Sequence, residues 1–193
     1  MMKFKLRVAC AVLALTFAVV PFISCDGNPT GFTSREVNIG NLTWMAENLN
    51  RNIDGSWCYN NDNSNCAKYG RLYTWHAAMS ACPAGWRLPT RSDWNNLVSA
   101  AGGGSVAGVR LKSKTGWTTY NGTDDYGFSA LPGGFRSSFD GGTFVVAGNV
   151  GYWWSTAESS SNNAVSRSLG DNNHVYESSI NKSFGLSVRC VKN

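Results

Sequence analysis

Cys82-Pro83-Ala84-Gly85-Trp86-Arg87-Leu88-Pro89-Thr90 runs directly into Arg91-Ser92-Asp93-Trp94, and how this stretch is read decides the fold. Pro89 and Thr90 open a helix. Thr90 is a good N-cap, because its side-chain oxygen can accept an orphan N–H of the first turn. Asp93, three residues on, is the short form of the capping-box acid. Trp94, Leu97 and Val98 then fall at i, i+3 and i+4 and share one apolar face. Ala101-Gly102-Gly103-Gly104 stops the helix. Upstream, Trp75 to Ala81 is Ala-rich and helix-like, and Pro83 ends it.

Outward from these two helices the pattern changes to short strands. Glu36-Val37-Asn38-Ile39-Gly40 and Leu42-Thr43-Trp44-Met45 alternate like a hairpin around Gly40-Asn41. Tyr69 to Tyr73 reads as a short strand or turn. From Gly116 onward the chain is rich in Gly, Ser and Asn, with apolar bursts at Phe128 to Leu131, Phe144 to Ala147, Tyr152 to Trp154, Val165 to Leu169 and Leu186 to Val191. Strands, two helices, then a long run of loops and short strands predict an α+β domain over residues 36–193.

Composition narrows the class. Of 193 residues, 15% are charged and 12% are aromatic, which excludes collagen, coiled coil and polar disorder. Residues 1–24 read as a bacterial lipoprotein signal peptide. Lys3, Lys5 and Arg7 form its positive end, and the apolar run from Val8 to Val20 is shorter than the roughly 20 residues a membrane span needs. Phe22-Ile23-Ser24-Cys25 resembles a lipobox, with Cys25 as the lipidated residue, and residues 25–35 form a flexible tether. The expected location is the membrane surface, exported and held by the lipid at the outer membrane or cell surface. Removing the three leader positives from the net charge of +5 leaves +2, too little for a nucleic-acid partner.

Four cysteines follow the leader: Cys58, Cys66, Cys82 and Cys190. An even number in an exported chain implies disulfides, and four allow three pairings. A local bridge would close the polar segment between Cys58 and Cys66, and Cys82 would then pair with Cys190. A four-cysteine metal site is the rival reading, but the spacings are not those of a zinc site, and no metal is expected.

Several motifs occur in a fixed order. Tyr69-Gly70-Arg71-Leu72-Tyr73-Thr74-Trp75 precedes the opening stretch. Tyr126-Gly127-Phe128-Ser129-Ala130-Leu131-Pro132-Gly133-Gly134, Tyr152-Trp153-Trp154-Ser155 and Ser187-Val188-Arg189-Cys190-Val191-Lys192 follow it. The series, from about Val37 to Lys192, resembles the Fibrobacter succinogenes major paralogous domain. Arg87-Leu88-Pro89-Thr90 with Trp94, Gly148-Asn149-Val150 and Val188-Arg189-Cys190-Val191 are also similar to formylglycine-generating enzymes. The resemblance implies a C-type-lectin-like fold of that type: two helices packed on short twisted strands, long loops, and neighbouring termini. A Cys82–Cys190 bridge fits it, since such folds often tie a helix to the last strand.

The resemblance also raises an oxidase chemistry, which requires a pair of redox-active cysteines near the C-terminus. Cys190 is the only cysteine beyond Cys82, so that activity and its cofactor are not expected, and no catalytic residue is assigned. His76 reads as a packing or surface residue beside Trp75. Asp124-Asp125 and Asn60-Asn61-Asp62-Asn63 read as turns, and Gly102-Gly103-Gly104 lacks the Lys and Ser/Thr of a phosphate loop.

The C-terminal half instead uses the vocabulary of binding loops. Between Arg136 and Ser183 the polar residues are Asn, Ser, Asp, Tyr, His and Arg set among apolar positions. In Tyr152-Trp153-Trp154 the alternation sends Trp153 to one side and Tyr152 and Trp154 to the other, so one side is expected to meet solvent or a ligand. Arg136, Tyr152, Trp154, Asn172, Asn173, His174 and Tyr176 are the expected contacts with an extracellular protein or glycan. The layout also resembles the variable proteins of diversity-generating retroelements. A structural or adhesive envelope lipoprotein without a specific small ligand is the alternative.

Overall fold

The hairpin forms as its alternation predicts. In a computed structural model that describes residues 34–193, β1 (Glu36–Ile39) pairs antiparallel with β2 (Leu42–Met45), and Gly40 turns the chain at φ +63°. Ser34 and Arg35 already belong to the folded part, since Arg35 bonds through its carbonyl to Ala46 N–H and through its guanidinium to Glu47. The signal segment 1–24, the lipidation site Cys25 and most of the 25–35 tether lie outside the described residues.

The chain continues through β3 (Ser56–Trp57), α1 (Asn63–Tyr69), β4 (Leu72–Tyr73), α2 (Trp75–Ala81), β5 (Trp86–Arg87), α3 (Arg91–Ala100) and α4 (Ala107–Leu111). After these come β6 (Phe135–Arg136), β7 (Phe144–Val145), β8 (Gly151–Glu158), β9 (Asn163–Leu169), β10 (Val175–Asn181), β11 (Leu186–Ser187) and β12 (Val191–Lys192). The fold is α+β. One sheet has the order β1-β2-β12-β5, a second β10-β9-β8-β11-β4-β3, and β6 and β7 form a separate hairpin. Both ends of the described chain meet in the first sheet, where Lys192 Nζ lies 2.9 Å from Glu36.

The expected helices α2 and α3 form with their caps. Thr90 Oγ accepts from Asp93 N–H at 3.1 Å, and the Asp93 carboxylate accepts in return from Thr90 N–H at 2.7 Å. Four helices are present among the described residues rather than the two expected. The polar segment after Cys58 is not a plain loop: Asp62 caps Ser64 N–H at 2.8 Å and starts α1. That helix is polar along most of its length, so it carries no apolar period to read. α4 is one short turn with no side-chain cap.

Two strand expectations also change. Phe128 to Leu131 is not a strand, because Ser129 sits at φ +50° with its N–H and hydroxyl both held by Asp124. Only a single bridge, Ala130 to Lys112, remains there. In contrast β10 forms where loop composition predominates, in full register with β9.

The six-stranded sheet is packed on both faces. Trp153 and Leu169 point into a core with Trp44, Trp94, Leu97, Leu111 and Phe128. Trp44 and Trp94 lie 5.0 Å apart between ring centroids, and Trp94 and Trp153 6.4 Å, contacts worth about 1 kcal/mol each beyond the area they bury. Trp154 and Ala164 point the other way, into a core with Tyr73, Trp75, Ala78, Leu186 and Val188. The alternation at Tyr152-Trp153-Trp154 is therefore present, but both tryptophans meet protein.

The disulfides are Cys58–Cys66 and Cys82–Cys190. The second joins the C-cap of α2 to the residue before β12 across a sequence separation of 108. A loop of that size is worth about 4–5 kcal/mol in the chain-entropy account.

Candidate functional site

The turn between β9 and β10 carries Asp171, Asn172, Asn173 and His174, and the body of the domain fastens it. The Lys112 side chain is fully buried, and its Nζ donates to Gly170 O and Asn172 O at 3.1 Å each. Gly108 N–H donates to Asn173 O at 2.9 Å, and Val175 N–H to Gly104 O at 3.1 Å. Gly108 is required for this approach, because an added Cβ would overlap the Asn173 carbonyl. Burial pushes the Lys112 ammonium below its ordinary value, and the nearby Asp171 carboxylate opposes the shift. The turn is thus clamped to α4 along its backbone, while its side chains stay outside.

Those side chains border an open groove of about 390 Å³, lined by Ser105, Tyr120, Asp171, Asn172, Asn173 and His174. Asn172 is committed internally. Its Oδ1 accepts from His174 N–H and its Nδ2 donates to Tyr176 Oη, both at 2.9 Å. The His174 and Tyr176 rings lie 5.8 Å apart. Four of the expected contacts, Asn172, Asn173, His174 and Tyr176, therefore come together.

Arg136 and Tyr152 belong to a second patch. Arg136 lies over the Trp57 ring at 4.1 Å. Tyr152 meets Phe135 edge-on at 5.4 Å, beside a small apolar hollow of about 60 Å³ lined by Phe135, Tyr152, Ile180, Phe184 and Leu186. Burial raises the Tyr152 hydroxyl above its ordinary value. Tyr152, Ser168 and Tyr176 are direct cross-strand partners and share one face of the sheet. Two strand spacings put Tyr152 and Tyr176 about 10 Å apart.

Trp154 is corrected. It has no exposed surface, and its Nε1 donates to Tyr73 O at 2.8 Å. A ring fixed inside the core cannot contact a ligand.

Other polar residues have structural duties. Asp125 pairs with Arg110 at 3.6 Å, and His76 is exposed with its ring against Trp75 at 5.3 Å. All four cysteines of the described residues are joined in disulfides.

The reading from sequence missed Ser105, Gly108, Lys112 and Tyr120. Tyr120 carried a usable signal, a lone aromatic in the polar run Thr118-Thr119-Tyr120-Asn121-Gly122. Lys112 carried none, since a lysine beside one short helix reads as solvated.

A family profile described as the Fibrobacter succinogenes major domain matches residues 37–192. No curated protein and no solved structure matches the chain.

Proposed function

The chain belongs to the Fibrobacter succinogenes major domain family, and on that premise we propose that it is an exported, lipid-anchored, non-enzymatic binding module. Its contacts with an extracellular ligand lie on the β9–β10 turn. The observation that carries this reading is the clamp: Lys112 and Gly108 fix the backbone of a turn whose Asn173 and His174 side chains face an open groove. Fixed backbone with free polar side chains is how a site binds without losing much conformational entropy on contact.

A C-type-lectin-like fold is part of the proposal. Support comes from the neighbouring ends of the described chain and from the bridge between the end of α2 and the last strand. An oxidase of the formylglycine-generating type needs two nearby free thiols. Cys82 and Cys190 are bonded to each other, which speaks for contact rather than oxidation. Anchoring at the membrane rests on the leader and on Cys25.

The test uses the full chain in a detergent without a sugar headgroup, applied to arrays of extracellular polysaccharides and proteins. The reading expects a retained ligand whose binding is lost in Asn173→Ala/His174→Ala with melting unchanged. Absence of any binder, or a binder indifferent to both substitutions, contradicts it. Labelled palmitate should enter the chain and fail to enter Cys25→Ser.

A further inference from the structure

Among the described residues, the side chains of Ser105, Tyr120, Asp171, Asn173 and His174 form no hydrogen bond of their own, although all five border one groove. Together they offer a hydroxyl, a phenol, a carboxylate, an amide and an imidazole: donors and acceptors in a ring around the opening. Tyr120 contributes a flat apolar face and is 72% exposed. It also sits at φ +53°, a conformation that bulky side chains adopt only at a cost of about 1–2 kcal/mol. The chain thus holds an exposed ring in a strained position over a polar groove, where a Gly or Asn would relieve the strain.

The lining excludes other ligand classes. Among the described residues no Lys or Arg side chain borders the groove, so a phosphate or a polyanion finds no permanent counter-charge there. Apolar area is limited to the Tyr120 and His174 rings, too little for a hydrophobic ligand. The single carboxylate, Asp171, is offset by the Lys112 ammonium buried behind it, so no cation is demanded. What remains is a neutral molecule with one apolar face and a rim of hydroxyls. The groove volume, about 390 Å³, falls at the small end of ligand sites.

Resting on the binding reading above, we propose that this groove is a metal-independent site for a neutral saccharide. Its apolar face stacks on Tyr120, and its hydroxyls are read by Asp171, Asn173 and His174. Asn172 and Tyr176 are positioning residues, since they bond to each other and shape the turn. Tyr152, about two strands away on the same sheet face, lies outside the groove.

The test is saturation-transfer NMR and calorimetry on the full chain in a sugar-free detergent, with EDTA present. Cellobiose represents a polysaccharide end, N-acetyllactosamine a glycoprotein antenna, and 3′-sialyllactose is the anionic control. At least one neutral disaccharide should bind with EDTA present, and which one binds identifies the source. Binding should fall at least fivefold in Tyr120→Asn, which keeps the backbone conformation accessible, and in Asn173→Ala. Melting should be unchanged in Asn173→Ala and should not fall in Tyr120→Asn, which relieves the strain at φ +53°. No transfer to either neutral disaccharide overturns the proposal, as does binding indifferent to both substitutions or stronger binding of sialyllactose. If the neutral sugars fail while an array ligand still depends on Asn173 and His174, the saccharide assignment falls and the broader binding reading stands.

Discussion

Arg189 and Asn48 meet in the interior across 141 residues of chain, with Arg189 Nη2 2.8 Å and Nε 3.1 Å from Asn48 Oδ1. The same oxygen accepts from Trp153 Nε1 at 2.9 Å, while Asn48 Nδ2 donates to Tyr69 O at 2.8 Å. The guanidinium also donates to Met45 O and Phe128 O. It is fully buried, with carbonyl oxygens as partners rather than a bonded carboxylate. Burial pushes it down to about 9, with Glu47 and Asp124 acting only through space. One amide thus joins the loop after β2, the end of α1, the central strand β8 and the C-terminal segment.

Asn48→Ala should therefore be among the costliest single changes. It leaves a buried guanidinium and the Trp153 N–H short of an acceptor, a loss of about 3 kcal/mol or more. Urea denaturation should show a lower midpoint with an unchanged slope. A loss under 1 kcal/mol would mean that water replaces the amide.

The Cys82–Cys190 bridge makes a second prediction. Cys82→Ala/Cys190→Ala should lose about 4 kcal/mol, because the open chain regains the loop entropy of a separation of 108 residues. Cys58→Ala/Cys66→Ala opens a bridge that closes a separation of only 8 and should lose less, about 2–3 kcal/mol. Equal losses would shift the explanation to native packing.

Asp93 predicts an acid transition. Burial alone would raise its carboxyl, but hydrogen bonds from Arg87, Thr90 N–H and the Thr90 hydroxyl outweigh burial and hold it below 3.8. A carboxyl depressed in the folded state stabilises above the unfolded value, and that stability is lost as pH falls through the folded value. Denaturation midpoints measured from pH 5 to pH 2 should drop in the parent below about pH 4. They should drop less in Asp93→Asn, which starts about 1–2 kcal/mol lower at neutral pH from the weakened cap and lost ion pair.

Lys112→Met tests the clamp. The substitution keeps most of the volume but leaves Gly170 O and Asn172 O without their donor, a cost of about 1–3 kcal/mol. Hydrogen exchange should speed up selectively at residues 171–175. Uniform acceleration across β8 and β9 would instead mark Lys112 as a core element.

The sequence made the frame legible wherever a local rule coincided with the tertiary outcome. The α3 box at Thr90 and Asp93, the hairpin at Gly40-Asn41 and the two bridges are of this kind. Trp154 shows where the reading stopped. Alternation correctly put Trp153 and Trp154 on opposite faces, yet a period of two cannot tell a sheet covered on one side from a sheet covered on both. For the candidate site, the turn residues Asn172 to Tyr176 were legible from composition. Lys112, Gly108 and Tyr120 come from elsewhere in the chain and reach the turn only through the fold. No spacing rule links residue 108 to residue 173.

The most direct measurement is an amide chemical-shift map of the ¹⁵N-labelled full chain on titration with cellobiose and with N-acetyllactosamine. The account predicts shifts confined to Ser105, Tyr120, residues 171–174 and Tyr176, with both sugars recovered chemically unchanged. Shifts centred on the Arg136 to Phe144 hairpin and Phe184, or conversion of either sugar, would contradict it.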